Sequence, residues 1–154
     1  MYLAGLTSQG EKMFEVIKEK IWNMLKEKEI SLAMIYDREG KILWHKGREI
    51  EGKDVFAGEG FCKSYIEESL KNPVGIDVED YMKSDIGRMS KSARQLMVRS
   101  VIIRPVKRVF FLYVDSGTKE FFNEKDRISL QILGELLEQI ISKVRADSNV
   151  HGFT

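Results

Sequence analysis

Val109-Phe110-Phe111-Leu112-Tyr113-Val114 is a run of six large apolar or aromatic residues closed by Asp115. A half-exposed strand alternates apolar and polar side chains, because successive residues point to opposite faces. This run does not alternate, so both of its faces need cover and the strand belongs at the centre of its sheet. Residues 96–104 form a second extended run, with Pro105 expected at the turn between the two. One face of the sheet needs helices. The other falls to the irregular middle of the chain, where a small-molecule pocket would lie.

The helices are legible at the two ends. Asn123 supplies an N-cap, Asp126 stands three residues on, and Glu124 adds negative charge where the helix dipole is positive. Ile128, Ile132, Leu133, Leu136, Leu137, Ile140, Ile141 and Val144 then cover about half of the helix circumference, wider than the ~100° stripe that one packing surface needs. Two partners are therefore expected for this helix, within the chain or across a dimer. Residues 8–28 carry Met13, Phe14, Ile17, Ile21, Met24 and Leu25 on one arc, with Ser8 and Glu11 at capping-box spacing. Ile17, Ile21, Leu133, Leu137, Ile140 and Val144 are the candidates for a dimer contact through the terminal helices.

Between the ends, residues 30–37 and 41–46 flank the turn Asp37-Arg38-Glu39-Gly40 and read as a hairpin. Residues 47–95 are irregular, with glycines at 47, 52, 58 and 60. Residues 61–71 suit a short helix stopped by Asn72-Pro73, and 78–83 a helical turn. Residues 89–94 have no assignment.

The chain has 154 residues, 43% of them hydrophobic and 32% charged, which suits one soluble domain over residues 1–146 with a polar tail at 147–154. The 25 basic and 24 acidic residues nearly cancel, so no overall field draws the protein to nucleic acid or to a membrane surface. No apolar stretch approaches a membrane span, and residues 1–10 lack the basic-then-apolar order of a secretory leader. With the single cysteine Cys62, this points to the cytoplasm.

Chemistry-bearing motifs are sparse. His45, His151 and Cys62 have no metal-ligand spacing, so no metal site is expected. No G-x-x-x-x-G-K-S/T phosphate loop occurs. The basic run at 88–94, continued by Arg99 and Arg104, lacks the interleaved aromatics of a nucleic-acid platform and reads first as a solvated face. Cys62 stands at a helix start, where the dipole favours a thiolate. The simpler expectation is a small buried residue. Trp44, Phe61, Cys62, Tyr65, Tyr81 and Arg99 are the candidates to line a pocket.

Three stretches together resemble the closing pattern of GAF domains: Val101-Ile102-Ile103-Arg104-Pro105, Val109 to Asp115, and Phe122-Asn123-Glu124-Lys125-Asp126. Tyr36-Asp37-Arg38-Glu39-Gly40-Lys41-Ile42-Leu43-Trp44 resembles the first hairpin of GAF and of the related PAS domains. The resemblance implies an α+β fold: a central antiparallel β-sheet, terminal helices packed on one face and a ligand pocket on the other. It implies a sensory, dimerising role within larger regulators, with no cofactor and an unnamed small ligand. The tail, with Gly152-Phe153, resembles the linker that leads into the AAA+ module of bacterial enhancer-binding, sigma-54-dependent activators. One branch of the family reduces free methionine sulfoxide and relies on several cysteines. A single cysteine therefore sets the expectation of a non-enzymatic domain. A ligand-free dimerisation module and a thiol-dependent redox enzyme built on Cys62 are the alternatives.

Overall fold

The structure, a computed structural model, describes residues 6–72, 75–83, 94–107 and 109–150, with side chains described through residue 142. In chain order it contains α1 (Ser8–Asn23), β1 (Leu32–Asp37), β2 (Ile42–Gly47), α2 (Lys63–Lys71), β3 (Ile76–Val78), a 3-10 turn (Tyr81–Lys83), β4 (Ser100–Val106), β5 (Phe110–Ser116) and α3 (Glu124–Val150). The strands form one antiparallel sheet in the order β2-β1-β5-β4-β3. The doubly apolar strand is its middle member, as its composition requires.

β5 serves two cores by alternation. Leu112 and Val114 face α1 and α3, where they meet Ala33, Ile35, Ile102, Phe14, Ile17, Ile21, Leu133 and Leu137. Phe111 and Tyr113 face the other way, toward Met34, Tyr36, Ile103, Val55, Phe61, Cys62, Tyr65 and Ile66. The phenol ring of Tyr36 stacks on Phe111 with centroids 5.1 Å apart. Both terminal helices thus lie on one face, and α2 with the loop before it covers the other.

Local chemistry sets the helix ends. Asn123 Oδ1 accepts from the Asp126 N–H at 2.9 Å, and Asp126 Oδ2 accepts from the Asn123 N–H at 3.0 Å, a reciprocal cap that opens α3. At α1 the cap is Thr7, whose hydroxyl accepts from the Gly10 N–H, in place of the expected Ser8, and the helix stops at Asn23 rather than near residue 28. With 27 residues, α3 is about 40 Å long, and it runs on to Val150. The anticipated start of the tail at residue 147 therefore falls inside a helix. None of the described helices is long and apolar enough to cross a membrane.

Three expectations change in the middle of the chain. Ile76–Val78 is an edge strand paired with Val101, Ile102 and Ile103, and only Tyr81–Lys83 of the expected helical turn forms. Pro105 is no turn residue. It sits within β4 opposite Phe111, beyond the reach of β3, where a strand edge does not ask for its missing N–H. The chain reverses instead at Lys107, whose φ is +52°.

Candidate functional site

The face of the sheet away from the terminal helices carries the polar chemistry. Asp115 ends the row Phe111, Tyr113, Asp115 and is fully buried. A carboxylate placed there must be met by donors, and four hydrogen bonds reach it. The Leu32 N–H donates to Oδ1 at 3.0 Å. Arg48 donates from its two terminal nitrogens, at 3.1 Å to Oδ1 and 2.6 Å to Oδ2. The Tyr113 hydroxyl donates to Oδ2 at 2.6 Å. The guanidinium of Arg48 also donates to Ile30 O at 2.7 Å and, through Nε, to Gly60 O at 2.9 Å. Tyr113 in turn accepts from the Cys62 N–H at 3.1 Å. One cluster thus joins the entry to β1, the exit from β2, the end of β5 and the start of α2.

Gly60 makes part of this geometry possible. Its φ is +104°, a region closed to most side chains, and a Cβ there would press on the carbonyl of Glu49. A second polar pair lies deeper, where the Tyr36 hydroxyl and Ser69 Oγ are 2.7 Å apart and Ser69 donates to Ile66 O.

Burial sets the protonation states. It pushes the Tyr113 phenol well above its ordinary value, with the charge of Asp115 adding to the effect, so Tyr113 remains a donor. It also pushes the Asp115 carboxyl up, against the pull of Arg48, the Tyr113 hydroxyl and the Leu32 amide. The Cys62 thiol is pushed up to about 12 by burial and then by Asp115, with Tyr113 and Arg48 opposing. A thiol so placed is protonated at neutral pH and fully shielded from solvent, the reverse of an activated nucleophile.

A cleft of about 360 Å³ opens beside this cluster, lined by Glu59, Gly60, Phe61, Lys63, Ser64, Gln95 and Leu96. Its volume falls within the range of about 300–1,000 Å³ usual for small-molecule sites. A larger hollow, about 720 Å³, lies at the β3 edge between Asp77, Glu79, Asp80, Lys83, Glu124 and Arg127. It is broadly open, and Arg127 there is already held by Asp77 at 2.7 and 3.1 Å.

Of the six residues anticipated as pocket lining, Phe61, Cys62 and Tyr65 come together in the α2-side core. Tyr81 packs at its margin, under the guanidinium of Arg99 at 5.8 Å, and Arg99 is paired with Asp80 at 2.9 and 3.1 Å. Trp44 packs on the opposite, helix-bearing face. Ile17, Ile21, Leu133, Leu137 and Ile140 are buried within this chain's own core, which accounts for part of the wide stripe on α3. Among the described residues, the large apolar side chains left exposed on the two helices are Met13, Val16, Ile128 and Ile132. The side chain of Val144 and most of the basic run, residues 88–93, lie outside the described residues. Arg48, Tyr113 and Asp115 were not among the anticipated site residues. Their signal was a carboxylate in register with the buried face of a central strand.

No protein-family model matches the sequence, and no curated protein matches it. Solved structures do match in shape. The free methionine-R-sulfoxide reductase of type II from Thermoplasma acidophilum superposes with a TM-score of 0.62 at 13% identity, over 88% of this chain and 94% of that one. The GAF domain region of a putative membrane protein from Geobacter sulfurreducens PCA gives 0.57 at 20% identity, over 88% and 99%. The GAF domain from the Acinetobacter phosphoenolpyruvate-protein phosphotransferase gives 0.55 at 15%, over 92% and 97%. The chain has a GAF-type fold. The expectation of a non-enzymatic domain does not stand, because structures that share this fold include a free methionine-R-sulfoxide reductase as well as GAF domains of other proteins. A GAF-type sheet with a single cysteine is thus no ground for excluding catalysis.

Proposed function

We propose that this chain is a regulatory GAF-type domain, in which a small ligand in the cleft beside α2 biases the position of α3 and so an output module attached beyond it. The observation that supports this is the placement of the cleft. It adjoins the Cys62–Tyr113–Asp115 chain of hydrogen bonds. β5 presents Tyr113 and Asp115 to that side while Leu112 and Val114 of the same strand touch the helix-side core. A ligand that favours one arrangement of this strand shifts the helix equilibrium by its differential affinity for the two states. The resemblance of the tail to the linkers of sigma-54-dependent activators favours an AAA+ output module. Met13, Val16, Ile128 and Ile132 are the surface through which two copies would pair.

A thermal-shift screen tests the ligand. Cyclic nucleotides, oxo-acids, amino acids and free methionine sulfoxide are the probes, the last because reductases that act on it share the fold. A ligand present at about 100 times its Kd stabilises the folded state by about 2.7 kcal/mol, which raises Tm by several degrees. The expected result is a rise that Phe61→Ala or Ser64→Arg abolishes and Ile128→Lys leaves intact. A hit insensitive to the cleft substitutions, or no hit across the set, would overturn the assignment of this cleft.

A further inference from the structure

We propose that residues 60–64, in one wall of the cleft, are a gate that undocks from a fixed platform made by Arg48, Asp115 and Tyr113. The platform is self-sufficient. Of the bonds made by Arg48 and Asp115, those from Leu32, from Tyr113, between Arg48 and Asp115, and to Ile30 O all lie within the sheet and its connections. Only the bond from Arg48 Nε reaches the wall, at Gly60 O, and one more joins Tyr113 to the Cys62 N–H. When the wall leaves, the ion pair stays paired. The large cost of stranding a buried charge does not arise, and what the platform loses is the bond to Gly60 O, the bond from the Cys62 N–H and the packing of Phe61 and Cys62.

The wall is also built to leave. Gly58 and Gly60 bracket its start, and the N-cap of α2, Cys62, offers no side-chain hydrogen bond to hold the first turn. The loop before it carries its own bonds. Glu51 and Glu59 exchange two backbone hydrogen bonds at 2.8 and 3.0 Å, and Asp54 accepts from the N–H groups of Phe56 and Ala57. Local openings of such units lie below the free energy of global unfolding. The gate would admit a ligand to the buried tyrosines, and it stands on the platform geometry whether or not the cleft is the regulatory site.

Cys62 is the only cysteine of the chain and is fully buried, so it reports on the gate. The experiment measures labelling of Cys62 in the full chain by an aromatic disulfide reagent over a series of low urea concentrations, beside the equilibrium unfolding curve. Labelling by gate opening is expected to be nearly independent of urea below the transition. It is also expected to rise about three- to tenfold in Tyr113→Phe, which removes the hydrogen bond from the Cys62 N–H that ties the wall to the platform, while Asp115 loses the Tyr113 donor and keeps those of Leu32 and Arg48. Labelling that climbs from zero urea with the full slope of global unfolding would overturn the gate, and the wild-type chain alone suffices to detect that.

Discussion

The two faces of the sheet are closed by different means. On the helix side, Ala33, Ile35, Ile102, Leu112 and Val114 meet the aliphatic and phenylalanine side chains of α1 and α3. Non-directional burial of this kind is strong and tolerant of small shifts. On the α2 side, Tyr36, Tyr65, Tyr113 and Cys62 lie in the core, and Ser69, Asp115 and Arg48 are tied to it by directed bonds. Directed bonds specify one arrangement, and they break one at a time. The helix side suits a frame, and the α2 side suits recognition and movement.

Substitutions can break or sharpen this contrast. The largest effect is expected at Asp115. Asp115→Ala leaves the partly buried Arg48 guanidinium beside an empty place, and urea unfolding should show a loss of about 3 kcal/mol. A loss near zero would mean that the cluster does not hold the α2 side together. Leu137→Ala opens a cavity in the helix-side core and should cost about 2–5 kcal/mol by the same assay, while leaving the low-urea labelling of Cys62 unchanged. Faster labelling in that variant would mean that the two faces yield together.

Tyr36→Phe removes a single hydrogen bond to Ser69, which keeps its bond to Ile66 O, and about 1 kcal/mol should be lost. The smallest effect concerns pH. The Arg99 side chain holds the Asp80 carboxyl below the ordinary carboxylate value of about 4. The folded pKa is depressed, so the pair stabilises the fold above that ordinary value and its contribution fades as pH falls through the lowered folded one. Asp80→Asn should therefore lower Tm slightly at pH 7 and flatten its decline in acid. Equal slopes for the two proteins would remove Asp80 from the acid response.

Much of the frame was legible because its signals are periodic. The arcs of α1 and α3, the cap at Asn123 and the unalternating β5 each follow from local spacing. β3 was missed because Ile76-Asp77-Val78 is too short to show a period. Trp44, named as a pocket candidate only because it precedes the irregular region in sequence, packs on the helix side, because the β1–β2 register shifts between Ile35 and Tyr36. Leu43 and Trp44 both join the helix side while Ile42 stays on the other. The Arg48–Asp115 pair joins residues 67 positions apart, and no local pattern announces such a partner. The resemblance to GAF domains carried the architecture correctly. Its inference from cysteine number to an absence of catalysis did not hold, since chemistry resides in the site and not in the fold.

Native-state hydrogen exchange tests most directly whether the two faces are separable. The amide of Cys62, bonded to the Tyr113 hydroxyl, should exchange through an opening of low free energy and slight urea dependence. The amides of Leu112, Val114 and Leu133 should exchange only with global unfolding. If all four converge on one global isotherm already in the absence of urea, the sheet has a single cooperative core and the account fails.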